Sequence, residues 1–275
     1  MFTEIFEKHK PILGVIQLLP LPGSSGWNGR LEEVIVQAQQ EATALASGGV
    51  DGILLENYYD SPHNRHRIDV AGAVAMATVA REIRALVELP IGISVLENDP
   101  ETALSIALSV DAAFIRVQVL VGTLISESGL IEGKLTPLVA TLQRLKIDPQ
   151  PKILVDITKN NIVPAAQREA PWVSPLAYIS QVVTSVTKHG VADGLIVSEQ
   201  ELSPENVAQL GDMTDLPIMV GKELLPDQAA EYYGAGSGII LGAGFKKTPI
   251  NGMDFRTTID VTRVEKAVSG LQVTS

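Results

Sequence analysis

Three charged residues stand inside or directly after apolar runs, where a charge is expensive unless it has work to do. Glu56 follows GILL, Asp156 ends KILVD, and Arg116 lies within FIRVQV. Brought together, two carboxylates could act as general acid and base, or hold a divalent cation through oxygen. The competing arrangement is internal pairing: a buried guanidinium needs a carboxylate, so Arg116 against Glu56 or Asp156 would fill the space with paired charge. Glu56, Arg116 and Asp156 are the candidate catalytic set. Gln17, Asn57, Asn98, Gln118 and Lys159 occupy similar positions and are the candidate ligand-binding residues. Arg116 and Gln118 are two apart, which puts them on one face of a strand.

A second constellation is rich in glycine. Gly221-Lys222 and Gly242-Ala243-Gly244 follow the last two apolar runs. Glycines let backbone N–H groups approach an anion, and Lys222 or Lys246 could add charge, so these are candidate phosphate-binding residues. Glu223, next to Lys222, opposes an anion. The histidines are His9, His63, His66 and His189. His63 and His66 form an HxxH pair, but Arg65 and Arg67 beside them disfavour a cation and no third ligand has an obvious spacing. HNRHR reads as a solvated or partner-binding loop, and no metal site is expected. The chain has no GxSxG and no P-loop motif, and Ser24 and Ser25 have no identifiable base. No cofactor is expected.

The elements that must position these residues repeat. In Glu41–Asp60 an apolar helical stripe ends at Gly48-Gly49, and Gly52–Leu55 is a short apolar run bounded by punctuation. Glycine accepts the left-handed backbone of a helix C-terminus, and such a run fits a strand buried on both faces. Further strands are expected at Pro11–Leu18, Ile91–Leu96, Ala113–Val119, Lys152–Ile157, Asp193–Val197, Pro217–Val220 and Gly238–Leu241, with helical spacing between them. Asp69 is a plausible N-cap, and Pro100 suits a first helical position. Val121–Glu132 and Thr158–Trp172 read as long loops, and Phe2–His9 as a short lead-in helix.

Eight strand–helix units in 275 residues favour a closed parallel barrel, a single (β/α)8 TIM barrel, over an open sheet. An open sheet of the dinucleotide-binding kind would carry GxGxxG in its first turn, which here reads LPLPGSSGWNG. No linker or composition shift divides residues 1–275, so they are read as one domain. In a barrel, all the strand-end residues converge at the C-terminal face.

The chain carries a net charge of −11 and 45% apolar residues. Clustered positive charge is what nucleic acid and anionic lipid require, so neither is an expected non-specific partner. The absence of cysteine excludes disulfides and thiolate chemistry. No apolar run approaches the ~18 residues of a membrane span, and MFTEIFEKHK lacks the apolar core of a signal peptide. The expected location is the cytoplasm.

Several blocks resemble the BtpA family. They are LLPLPG at Leu18–Gly23, GGVDGILLEN at Gly48–Asn57, FIRVQV at Phe114–Val119, GLIEG at Gly129–Gly133 and KILVDI at Lys152–Ile157. The first two are the specific ones. The resemblance implies a (β/α)8 barrel similar in architecture to enzymes of phosphorylated substrates. It also implies a link to photosystem I accumulation and stability, since cyanobacterial members have that role as peripheral thylakoid proteins. EATALASGGVDGI looks closest to that branch. The chain is an atypical member: Gln17 stands where the family has His, and Glu97 where it has Arg. Thr158-Lys159-Asn160, Gly221-Lys222-Glu223 and Gly242-Ala243 also depart from its pattern. The leading expectation is a barrel supporting photosystem I biogenesis, with photosystem I assembly components as partners and association at the thylakoid surface. The alternative is a barrel enzyme acting on a phosphorylated small molecule. A homo-oligomer is compatible with both.

Overall fold

The computed structural model describes residues 3–126, 129–157, 163–164, 175–198, 202–221, 224, 226–247 and 257–273. Eight parallel strands close into a barrel: β1 (Ile12–Gln17), β2 (Gly52–Glu56), β3 (Ile91–Ser94), β4 (Phe114–Val117), β7 (Lys152–Asp156), β9 (Gly194–Val197), β10 (Ile218–Val220) and β11 (Ile239–Leu241). β1 pairs with both β2 and β11, so the sheet has no edge. Around it run α2 (Leu31–Ser47), α3 (Val70–Leu86), α4 (Pro100–Val110), α5 (Leu135–Leu145), α6 (Pro175–His189), α7 (Pro204–Gly211), α8 (Pro226–Ala235) and α9 (Val261–Val273). The expected helix signals operate: the Asp69 side chain accepts from Ala71 N, Pro100 opens α4, and Gly49 after α2 takes φ +84°.

Strand periodicity sorts the core into two shells. Every second strand residue points to the helices, and these join one large apolar cluster. The intervening residues, Leu13, Val15, Leu54, Phe114, Leu154, Ile196, Met219 and Ile240, fill the barrel interior. Gly92 supplies no side chain there, because the Phe114 ring occupies the space a Cβ would need. The lead-in helix α1 (Thr3–Phe6) plugs the bottom, with Phe6 edge-on to Phe114 at 5.6 Å between ring centroids.

Both expected long loops, Val121–Glu132 and Thr158–Trp172, contribute short strands. Within Val121–Glu132, β5 (Thr123–Ser126) and β6 (Gly129–Glu132) pair antiparallel, and β8 (Val163–Pro164) adds a third short strand. Leu124 and Ile131 are buried with Val119 in their own apolar cluster. Their partner strands lie in the excursions after β4 and β7 and not in the barrel, which is why barrel periodicity does not announce them.

Candidate functional site

The interior alternation defines the mouth. Two residues beyond each inward apolar residue, one step further up the strand, lies the next inward position. Counting from Val15, Leu54, Gly92, Phe114, Leu154, Ile196, Met219 and Ile240 gives Gln17, Glu56, Ser94, Arg116, Asp156, Ser198, Gly221 and Gly242. The layer changes from wholly apolar to polar or glycine in a single step. Register aligns the first four, Gln17 with Glu56, Glu56 with Ser94, and Ser94 with Arg116, while Arg116 stands opposite Leu154, so that Asp156 lies one inward step further up its strand.

Arg116 holds this layer together. Its Nε donates to Asp156 Oδ2 at 2.8 Å and its Nη2 to Asp156 Oδ1 at 2.9 Å, a bidentate fork. Its Nη1 donates to Glu56 Oε1 at 3.0 Å. The Ser198 hydroxyl donates to Asp156 Oδ1 at 3.1 Å. The Asp156 side chain has no exposed surface, and that of Arg116 is 13% exposed. Burial works against the Arg116 charge, but the carboxylates, Asp156 foremost, outweigh it and hold the guanidinium above its ordinary range. The internal pairing weighed against a catalytic set is therefore what these three side chains form. With both acids ionised the cluster carries one net negative charge, and the guanidinium is committed to carboxylates.

The other candidates divide by place. Gln17 and Gly221 share the layer, and a Cβ on Gly221 would stand 3.9 Å from Arg116 Nη2. Gln118 donates to Ser94 Oγ at 2.7 Å, bracing neighbouring strands. Asn57 and Asn98 are taken up by loops. Asn57 donates to Asp60 Oδ2 at 3.0 Å and accepts from Leu96 N at 2.7 Å, while Asp60 accepts from Leu21 N at 2.7 Å. Asn98, fully buried, donates to the carbonyls of Val119 and Glu132 and accepts from Val119 N. It fastens β6 and the end of the fourth barrel strand to the loop after β3.

Gly242 precedes a 3-10 turn at Ala243–Phe245, where Phe245 N donates to Gly242 O at 3.0 Å. Lys246 does not reach toward this turn as an anion ligand. It is 1% exposed and lies 3.6 Å from Glu41. Lys159, Lys222 and Glu223 lie outside the described residues. Ser94 and Ser198 are the mouth residues that strand-end charge did not flag; counting two from the inward apolar residue would have found both. Among the described residues no group of three or more His, Asp or Glu could hold a metal ion, and no helix is long and apolar enough to cross a membrane.

Comparison with known proteins places this geometry. Residues 8–272 match the BtpA family. The chain is 37% identical to the photosystem I biogenesis protein BtpA of Synechocystis sp., over 89% of this chain and 83% of that one. An uncharacterized protein of Pyrococcus abyssi is 30% identical, over 95% of this chain and 98% of its own. Among solved structures, thiamine phosphate pyrophosphorylase from Pyrococcus furiosus superposes with TM-score 0.55 at 14% identity, covering 97% of this chain and 96% of the other. Tryptophan synthase from M. tuberculosis gives TM-score 0.59 at 11% identity, covering 96% and 93%. At these identities the likeness is one of fold.

Proposed function

The chain belongs to the BtpA family, and on that premise we propose that it supports the biogenesis or stability of photosystem I, acting at the thylakoid surface with photosystem I assembly components. The observation that carries the reading is the 37% identity to the Synechocystis protein of that name, over most of both chains. The mouth chemistry is compatible with it. Arg116 is spent on Asp156 and Glu56, which favours a self-satisfied scaffold over a site for a phosphorylated substrate. The test is complementation. A Synechocystis strain lacking its own BtpA receives this chain, and photosystem I is measured by P700 photo-oxidation per cell. Recovery of the reaction centre is expected; accumulation of the protein without recovery overturns the reading.

A second reading, an enzyme acting on a phosphorylated small molecule, draws on one observation. Gln17, Glu56, Arg116, Asp156 and Ser198 all belong to one inward layer at the C-terminal end of the barrel, the end where barrel enzymes carry their chemistry. Folded Glu56→Gln and Ser198→Ala variants separate the two. A supporting barrel still restores photosystem I with either substitution, and an enzyme using the mouth does not.

A further inference from the structure

Glu41 on α2 and Lys246 beyond the last barrel strand form a pair that the mouth does not use. Their side chains are 0% and 1% exposed, with Nζ 3.6 Å from Oε1. Both Glu41 oxygens and the Lys246 ammonium lack a hydrogen-bond partner among the described residues. Buried charges are ordinarily hydrogen-bonded as well as paired, so this contact rests chiefly on Coulomb attraction, with the Gln37 side chain one helical turn away the other polar group that favours the Glu41 carboxylate. The ammonium also lies 5.4 Å from the centre of the Tyr59 ring.

The pair lies at a junction. Tyr59 is in the loop that follows Glu56, and Lys246 directly follows the 3-10 turn at Ala243–Phe245. Lys246 bridges Ile259, Lys247 N donates to Thr258 O, and Asp260 N donates to Phe245 O, so the outgoing and returning chain form a stem. We infer that Glu41 and Lys246 are a proton-sensitive clasp, which holds the stem after β11 and the loop after β2 against α2 while Glu41 is ionised, and loosens when Glu41 is protonated.

The two partners differ in freedom. Glu41 lies on the inner side of α2 among Ala38, Ala42 and Leu45 and cannot leave without the helix. Lys246 has a long flexible stem on a connecting segment and can withdraw to water. Burial pushes the Glu41 carboxyl up to about 7, and the Lys246 charge works in the opposite direction. When Lys246 withdraws, that counter-effect goes and Glu41 takes up a proton more readily. Opening therefore binds a proton, and acid favours it. The charged groups around the pair do not replace either partner. Arg263 of α9 donates to the Lys246 carbonyl at 2.7 Å. Glu265 and Lys266 of the same helix are exposed, and Glu82 of α3 lies near Gln39, on a different part of α2. Tyr59 offers its ring.

The experiment is amide hydrogen exchange of Phe245, Lys246, Lys247 and Asp260 from pH 6 to 9, corrected for the intrinsic pH dependence of exchange. Protection should be low and flat below about pH 7 and then rise by up to roughly tenfold per pH unit. Glu41→Gln should abolish the rise and stay at the low-pH level. Lys246→Met, which fills the same space without charge, should be protected and independent of pH, and its Glu41 should titrate higher than in the wild type by carbonyl NMR. A wild-type profile that is flat or falls with pH overturns the clasp. So does a Glu41→Gln profile that still rises, or a Glu41 titration unmoved by Lys246→Met.

Discussion

Arg116 grips both oxygens of Asp156, at 2.8 and 2.9 Å, while Glu56 accepts from the remaining arm of the same guanidinium. A charge that an apolar strand could not otherwise carry is thereby neutralised by the next barrel strand and by the second. The arrangement is costly to break from either side, because each partner alone would be a buried charge.

Arg116→Ala should therefore destabilise the fold by about 3–5 kcal/mol, measured by denaturant unfolding at neutral pH. A loss within error of zero would mean that Arg116 faces water and that the pair is ornamental.

Asn98 satisfies three backbone groups from one buried side chain. Asn98→Ala should cost roughly 3 kcal/mol, since buried donors and acceptors left unpaired carry their desolvation penalty. The effect should be local first: limited proteolysis should cut sooner within the β5–β6 excursion than elsewhere. Uniform sensitivity along the chain would show that Asn98 is not its anchor.

Phosphate should bind poorly. The guanidinium in the mouth is already paired, the cluster is net negative, and Ala243 offers no hydroxyl. Calorimetric titration with phosphate and simple sugar phosphates should give a dissociation constant of order millimolar or weaker. Glu223→Gly together with Ala243→Ser should tighten it, by removing a repelling charge and adding a donor. Micromolar binding by the wild type would promote the enzyme reading over the supporting one.

Glu41 predicts a slope of global stability with pH, distinct from the local opening of its clasp. Its carboxyl is raised from 4.5 to about 7 in the folded chain, so between those values the folded state holds the extra proton. Its contribution is full below pH 4.5 and is lost as pH rises through 7, a change of about 3 kcal/mol. Unfolding gives Glu41 to water, whereas clasp opening leaves it buried without Lys246, which is why the two signs differ. Thermal or denaturant unfolding at pH 5 and pH 8 should show this decline in the wild type and a smaller one in Glu41→Gln. Equal declines would place Glu41 in water.

The number and order of the barrel strands were written in the sequence, because each run such as GILL or KILVD must be buried on both faces and each ends in punctuation. Glu56 and Asp156 could be placed at strand ends and Arg116 inside a strand, because each stands in or directly after such a run, although Lys152 shows that a charge can equally stand at a strand's start. Asn98 and Asn57 could be located at strand ends, but not what they bind, because their partners are backbone groups of other loops. Which way Arg116 turned, toward ligand or toward Asp156, depended on barrel closure bringing neighbouring strands into one layer. The pairing of Glu41 with Lys246 was beyond any local pattern. It exists only because the barrel brings its last strand back beside its first, so that the chain leaving β11 meets α2; until then Glu41 is one helical charge among several, and Lys246 reads only as a cation near a glycine-rich turn.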